Sequence, residues 1–186
     1  MGTDNPHLEP TDLELARRAR GGDTAAFHDL VDRHARFLMA VAHSLSGNAA
    51  DAEDMVQETF AGAFRSLAAF EGRASVRTWL ARILIRQTAR HFRTTRKHEA
   101  GRTTLDAAAG SEARTLPPTS AGAKLDVTAA LQALSPDHRE IIVLRELQGF
   151  SYEEIADALG LPQGTVESRL FRARRQLQEL LKDYLP

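Results

Sequence analysis

The chain has 186 residues, with 24 Lys and Arg against 25 Asp and Glu and a formal net charge of −1. That balance excludes a uniformly basic nucleic-acid coat and an acidic disordered tail, yet leaves local segregation of charge open. Hydrophobic residues at 42% suffice for packed cores, the abundance of Ala, Leu, Arg and Glu points to helix, and the absence of Cys excludes disulfides, thiolate zinc sites and cysteine nucleophiles.

The start, MGTDNPHLEPTDLE, is polar and acidic, without the basic and apolar regions of a signal peptide. No stretch approaches the roughly 20 apolar residues that span a bilayer, so a cytoplasmic protein without membrane insertion is expected. Thr11-Asp12-Leu13-Glu14 reads as a capping box opening a short helix that Gly21-Gly22 ends. Asp23 caps the next helix, in which Phe27, Leu30, Val31, Phe37, Leu38, Val41 and Leu45 recur at helical spacing until Gly47-Asn48. A third helix from about Ala50 carries Val56, Phe60, Phe64 and Leu67 on one stripe. The break at residues 70–75 ends with Ser75, a cap for a fourth helix through Trp79, Leu80, Ile83 and Leu84 into a run of arginines. Residues 98–124 show no apolar period, are rich in Gly, Ala, Ser, Thr and Pro, and read as a flexible linker. Beyond it lie a helix near 125–134, a second opened by Ser135-Pro136, a third opened by the capping box Ser151-Tyr152-Glu153-Glu154, and a long last helix from about Thr165 to Tyr184. The expected fold is all-α, with two small helical domains at 10–97 and 125–184 joined by the 98–124 linker.

The neutral total hides a strong segregation. Residues 1–72 hold 6 basic and 12 acidic side chains, whereas residues 73–102 hold 9 basic and a single acidic one. A second basic cluster, Arg169, Arg172, Arg174 and Arg175, falls within seven positions of the last helix. A phosphate backbone is the commonest partner of such patches, because neutralising it releases counterions.

In SYEEIADALGLPQGTVESRLFRARRQL, Ala156 stands where two crossing helices need a small side chain, Gly160 where the turn needs a permissive backbone, and Val166 where the second helix plugs the core. This is helix-turn-helix spacing. Thr165, Ser168, Arg169, Arg172 and Arg175 then share one side of the second helix and are candidates to enter a major groove.

Two long stretches, DAEDMVQETFAGAFRSLAAFEGRASVRTWLARI at 51–83 and LSPDHREIIVLRELQGFSYEEIADALGLPQGTVESRLFRARRQL at 134–177, together resemble a bacterial RNA polymerase sigma factor of the extracytoplasmic-function (ECF) group. The resemblance implies a region 2 domain, a linker and a region 4 domain, in a factor that binds core RNA polymerase and opens promoter DNA. It implies polymerase binding through Asp54, Gln57, Glu58 and Phe60. It implies −10 DNA binding through Phe70, Arg73, Ser75, Trp79, Arg82, Arg86, Arg90 and Arg93, and −35 DNA binding through Thr165, Ser168, Arg169, Phe171, Arg172 and Arg175. A Trp on an amphipathic helix is, taken alone, more often a core residue than a stacking platform. Arg86 and Arg90 stand where Asn and Asp are common in the family, and Glu167 where a basic residue is common, so the bases read are open. An anti-sigma partner is expected by resemblance, and the linker serves either as a tether or as a segment threading polymerase channels. No cofactor or metal is expected.

Two other functions compete. A freestanding helix-turn-helix repressor or activator would leave the acidic third helix and the basic 73–102 segment idle. A helical metal hydrolase would draw on His28, Asp29, His34 and Glu58, but the two histidines, six residues apart, fall on roughly opposite sides of a helix.

Overall fold

The computed structural model describes residues 9–102 and 127–182, the side chains of 93–102 excepted. The helices are α1 (Asp12–Arg20), α2 (Thr24–Ser46), α3 (Ala49–Ser66), α4 (Val76–Arg102), α5 (Val127–Ala133), α6 (Pro136–Ile142), α7 (Tyr152–Leu159) and α8 (Gln163–Leu181), with a 3₁₀ turn at Leu67–Ala69 and a π-helical turn, Val143–Leu147, continuing α6. No strand occurs among the described residues.

Local chemistry sets most of the helix starts. Thr11 Oγ1 accepts the Glu14 amide while the Glu14 carboxylate accepts the Thr11 amide at 2.7 Å. Ser151 and Glu154 repeat the exchange ahead of α7. Asp23, Asn48 and Ser135 each accept one orphan amide of α2, α3 and α6, and Ser75 accepts the Thr78 amide at 3.0 Å as α4 begins. α4 continues to Arg102, five residues into the stretch read as linker; the rest of that stretch, 103–124, lies outside the described residues. α8 begins two residues earlier than its pattern suggests, because the Pro162 carbonyl accepts the amides of Thr165 and Val166 and so draws Gln163 and Gly164 into the first turn.

Helices α1 to α4 pack around Leu15, Leu30, Leu38, Val41, Leu45, Leu80 and Leu84, and α5 to α8 around Ile141, Ile142, Leu144, Ile155, Val166 and Leu170. Both groups join one continuous apolar core, with α7 laid on α4 and α5 on the end of α2.

The joint at the end of α2 is polar. Arg139 is 7% exposed. Its guanidinium donates to the carbonyls of Leu131 (2.8 Å), Gln132 (2.9 Å), Leu134 (3.1 Å) and, from the other half of the chain, Leu45 (2.7 Å). Gln132 donates from the same side to the carbonyls of Ser44 and Leu45. These carbonyls lie at the ends of α2 and α5, where helix geometry leaves acceptors unpaired and concentrates negative partial charge. Burial depresses the Arg139 pKa, with Glu140 opposing the shift.

Next in sequence, Glu140 is partly buried between α6 and α8. Burial, reinforced by Asp137 and opposed by Arg169 and Arg139, raises its carboxyl from the ordinary 4.5 to about 7.

Replacing Arg139 by Met is expected to lower unfolding stability by about 3–5 kcal/mol, since the carbonyls of two helix ends lose the buried donor they share; urea titration with a loss below about 1 kcal/mol would refute the role of the joint. For Glu140 the folded state favours the neutral acid. Its stabilising effect is therefore complete below pH 4.5 and lost as pH rises to about 7. Glu140→Gln should melt several degrees above the parent at pH 8 and together with it near pH 4.5, measured by thermal scans; parallel curves at both pH values would contradict this.

Candidate polymerase and promoter interfaces

On α3 the buried residues are Ala52, Met55, Val56, Thr59 and Ala63. Asp54, Gln57 and Glu58 therefore stand on the opposite, exposed side, while Phe60 is half-buried and packed on the core. Phe64 departs from the expected core stripe, with 54% of its surface exposed. At about 100° per residue, position 63 falls within about 20° of Val56 and position 64 about 80° away, so Ala63 takes the inward place. The small pair Gly62-Ala63 also lets α3 approach α4: a side-chain carbon added at Gly62 would lie 3.3 Å from Ile83 Cγ2. The Phe64 ring rests edge-on against Phe27 of α2 at 5.1 Å, next to the acidic face. The sequence held one signal for this, the single-residue lag of Phe64 behind the helical period.

The 70–75 break is built from inside. Phe70 is 9% exposed and packs on the half-buried Trp79 at 4.6 Å, so both rings lie against the core. The Phe70 carbonyl accepts Arg20 Nη1 at 3.4 Å. Gly72, with φ +73°, passes under Leu13, whose Cδ1 would lie 2.8 Å from an added side-chain carbon. Arg73 pairs with Glu71 at 2.6 Å and is well exposed. The Ser75 hydroxyl is committed to capping α4 and to Thr78 Oγ1 at 2.9 Å. Beside this loop an open cavity of about 170 Å³ is lined by Leu13, Ala16, Arg17, Arg20, Phe70 and Glu71.

Further along α4, Arg82 turns to α7 and pairs with Asp157. Arg86 and Arg90 are exposed. The Arg93 side chain lies outside the described residues.

On α8 the core side is Val166, Leu170 and Ala173. Ser168, Phe171, Arg172 and Arg175 face outward, with Phe171 63% exposed, and Thr165 is half-buried. Arg169 leaves this set for the flank, 3.3 Å from Asp137 of α6. Arg174 goes to the other flank, donating from Nε and Nη2 to Glu146 at 2.9 and 2.7 Å. The four-arginine cluster is thus two braces and two outward groups. Neither Arg172 nor Arg175 has an ion pair among the described residues.

Of the residues weighed for a hydrolase, His34 is buried and pairs with Asp12 at 2.7 Å, closing α1 onto α2. Among the described residues no group of three or more His, Asp or Glu could hold a metal ion, and no helix is long and apolar enough to cross a membrane.

The family model "Sigma-70 region 2" matches residues 30–98, and "Sigma-70, region 4" matches residues 124–177. The RNA polymerase sigma factor NccH of Alcaligenes xylosoxydans xylosoxydans is 37% identical, over 92% of this chain and 95% of that protein. The ECF RNA polymerase sigma factor SigE of Mycolicibacterium smegmatis is 35% identical over 96% of this chain and 72% of its own length. Among solved structures, the sigma factor RpoE of Bartonella quintana, in complex with the anti-sigma factor NepR, superposes with a TM-score of 0.64 at 34% identity, covering 84% of this chain and 96% of that one. With the helix-turn-helix of α7 and α8 and the acidic face of α3 in place, these matches assign the chain to the extracytoplasmic-function sigma factors, initiation factors that direct bacterial RNA polymerase to promoters.

Proposed function

We propose a division of labour within this sigma factor. The exposed side of α3, Asp54, Gln57 and Glu58 flanked by half-buried Phe60 and extended by Phe64 with Phe27, docks on core polymerase. Its chemistry suits a basic surface with an apolar pocket, since carboxylates accept charge-assisted hydrogen bonds and a rigid aromatic supplies the desolvated centre of an interface. The loop 70–75 and the α4 stripe Arg82, Arg86, Arg90 and Arg93 hold the unpaired −10 strand. In that scheme Phe70, Trp79 and Ser75 shape the loop from beneath, and Arg73 and the α4 arginines meet the strand. Residues Thr165, Ser168, Phe171, Arg172 and Arg175 of α8 read the −35 element, with Arg169 bracing the helix against α6.

The observation that carries this reading is the sorting of arginines on α8. Flanking guanidiniums are fastened to Asp137 and Glu146, while the central Arg172 and Arg175 project beside an exposed aromatic ring. A braced helix presenting donors and an apolar contact fits a base edge and a thymine methyl in the major groove.

The protein works in the cytoplasm as a non-catalytic initiation factor, and its activity is restrained by an anti-sigma partner. The solved complex of the Bartonella relative with such a partner supports this, as does the exposed aromatic on the polymerase face.

Arg172→Ala should weaken binding to a −35 duplex by about 1–3 kcal/mol, and Arg169→Ala by clearly less, because only the former meets a base. Fluorescence anisotropy with the full chain decides it, and equal losses would refute the sorting. Gln57→Lys with Glu58→Lys, and separately Phe64→Ala, should each lower affinity for core polymerase about tenfold or more with helicity and −35 binding unchanged. Wild-type competition for core polymerase by these variants would sink the α3 assignment.

A further inference from the structure

The helix proposed to read the −35 element carries one charge of the wrong sign for a nucleic acid. Glu167 is the fifth residue of α8, is exposed, and is the only acidic side chain in the first two turns. Its carboxylate has no hydrogen bond or ion pair among the described residues. Nor does its own helix offer it a cation. The positions three and four away, which are its neighbours on a helix surface, hold Gln163, Gly164, Leu170 and Phe171. Arg174, two turns on along the same flank, is held by Glu146 through Nε and Nη2 at 2.9 and 2.7 Å. Arg169 stands on the opposite flank against Asp137. The Ser168 hydroxyl turns back to the Thr165 carbonyl at 3.1 Å.

Gln163, Glu167 and Phe171, four residues apart, form an exposed ridge beside the row of Ser168, Arg172 and Arg175. Gly164 borders Glu167 on the first turn. No atom lies within 4 Å of the place a side-chain carbon would take there, so a base edge has room to approach the carboxylate. The amino-terminal residues of a recognition helix are also the ones that meet base edges.

An unpaired carboxylate brought up to DNA costs affinity twice, through repulsion by the phosphates and through loss of its own water. Only a donor in the groove offsets this. The major groove presents two, the N4 amino group of cytosine and the N6 amino group of adenine. Adenine sets its amino group beside the N7 acceptor, a pattern that suits the amide of Asn or Gln, which donates and accepts. Cytosine shows a donor with no acceptor on the same base, which suits a group that only accepts. Guanine and thymine turn acceptors towards the groove and repel it.

We propose that Glu167 is a specificity-determining residue, which accepts a hydrogen bond from the N4 amino group of a cytosine in the −35 element and disfavours guanine and thymine at that position. This rests on the reading of α8 as the −35 helix. It divides the exposed face in two: Arg172 and Arg175 donate, Glu167 accepts, and Phe171 stands between them. Glu167 acts more by rejecting wrong sequences than by adding attraction, since the same carboxylate lowers affinity for every duplex that lacks the cytosine.

The test selects binding sites from duplexes randomised over the −35 element, with the full chain and separately with Glu167→Ala. The parent should enrich cytosine at one position. The variant should lose that preference and keep the others. On the selected duplex the parent should favour cytosine over thymine at that position about tenfold or more, and Glu167→Ala about twofold or less, read by fluorescence anisotropy. Glu167→Ala should also bind a random duplex about two- to fivefold more tightly, because a repulsion is relieved. N4-methylcytosine at the same position keeps the base pair and sets a methyl group where the donor stood; it should weaken the parent and leave the variant unchanged. Superimposable preferences of parent and variant, or an equal response to N4-methylcytosine, would overturn the proposal. Arg172→Ala in the same selection separates the two levels. If it alters no position, α8 is not the −35 helix and the role of Glu167 falls with that reading. If Arg172→Ala alters a position while Glu167→Ala alters none, the role of Glu167 alone fails.

Discussion

A buried guanidinium ties the two halves of this sigma factor together at the end of α2. Arg139 reaches across from α6 to the last turn of α2 and gathers four carbonyls from the ends of two helices. Helix ends leave such acceptors without partners, and the summed peptide dipoles make them weakly negative. A planar group with five donors and a permanent charge satisfies them together. An ammonium group would satisfy three at most and lose its proton more readily under the same burial. From that joint α6 runs into the π-helical turn Val143–Leu147, and α7 beyond it packs on α4. Phe150, at the end of that turn, is then delivered to Phe37 and Arg77.

How much of this can be read from the sequence depends on the range of the interaction. Thr11 with Glu14, Ser151 with Glu154, and Asp23 and Ser135 with the amides three positions on are local pairings, so the residue types alone announce the helix starts. The helix-turn-helix is legible for the same reason, since Ala156, Gly160 and Val166 answer to one turn. Phe64 is harder. It keeps an apolar residue on what looks like the core stripe, and only the close approach of α3 and α4 at Gly62 shows that Ala63 is the inward residue. The contact of α4 with the carboxyl-terminal half is beyond sequence reading altogether. Arg77, Thr78 and Arg82 find partners 71, 76 and 75 residues away, across a segment with no pattern of its own.

The same limit applies to the site. Position on a helix predicts which arginines share a side, but not which of them a carboxylate on another element will take. Arg169 and Arg172 are three residues apart and chemically identical, yet Asp137 of α6 turns one into a brace. Phe70 and Trp79 illustrate the opposite case. Aromatic residues within a basic stretch suggest stacking on bases, but the loop around Gly72 needs an apolar floor, and the two rings supply it for each other.

Seen in this way, the net charge of −1 is a distribution in which several arginines have carboxylates of their own. Within the segment 73–102, Arg73 faces Glu71, Arg82 faces Asp157, and Arg77 is enclosed by two rings and a carbonyl, while Arg86 stays exposed. Nonspecific attraction to DNA grows with the number of phosphates a protein can neutralise at once. Each arginine held by an internal partner subtracts from that number in the free factor. The Arg82–Asp157 pair is itself partly exposed, so salt screening weakens its hold on the guanidinium. Internal carboxylates therefore lower the nonspecific attraction for DNA of a chain with so basic a helix.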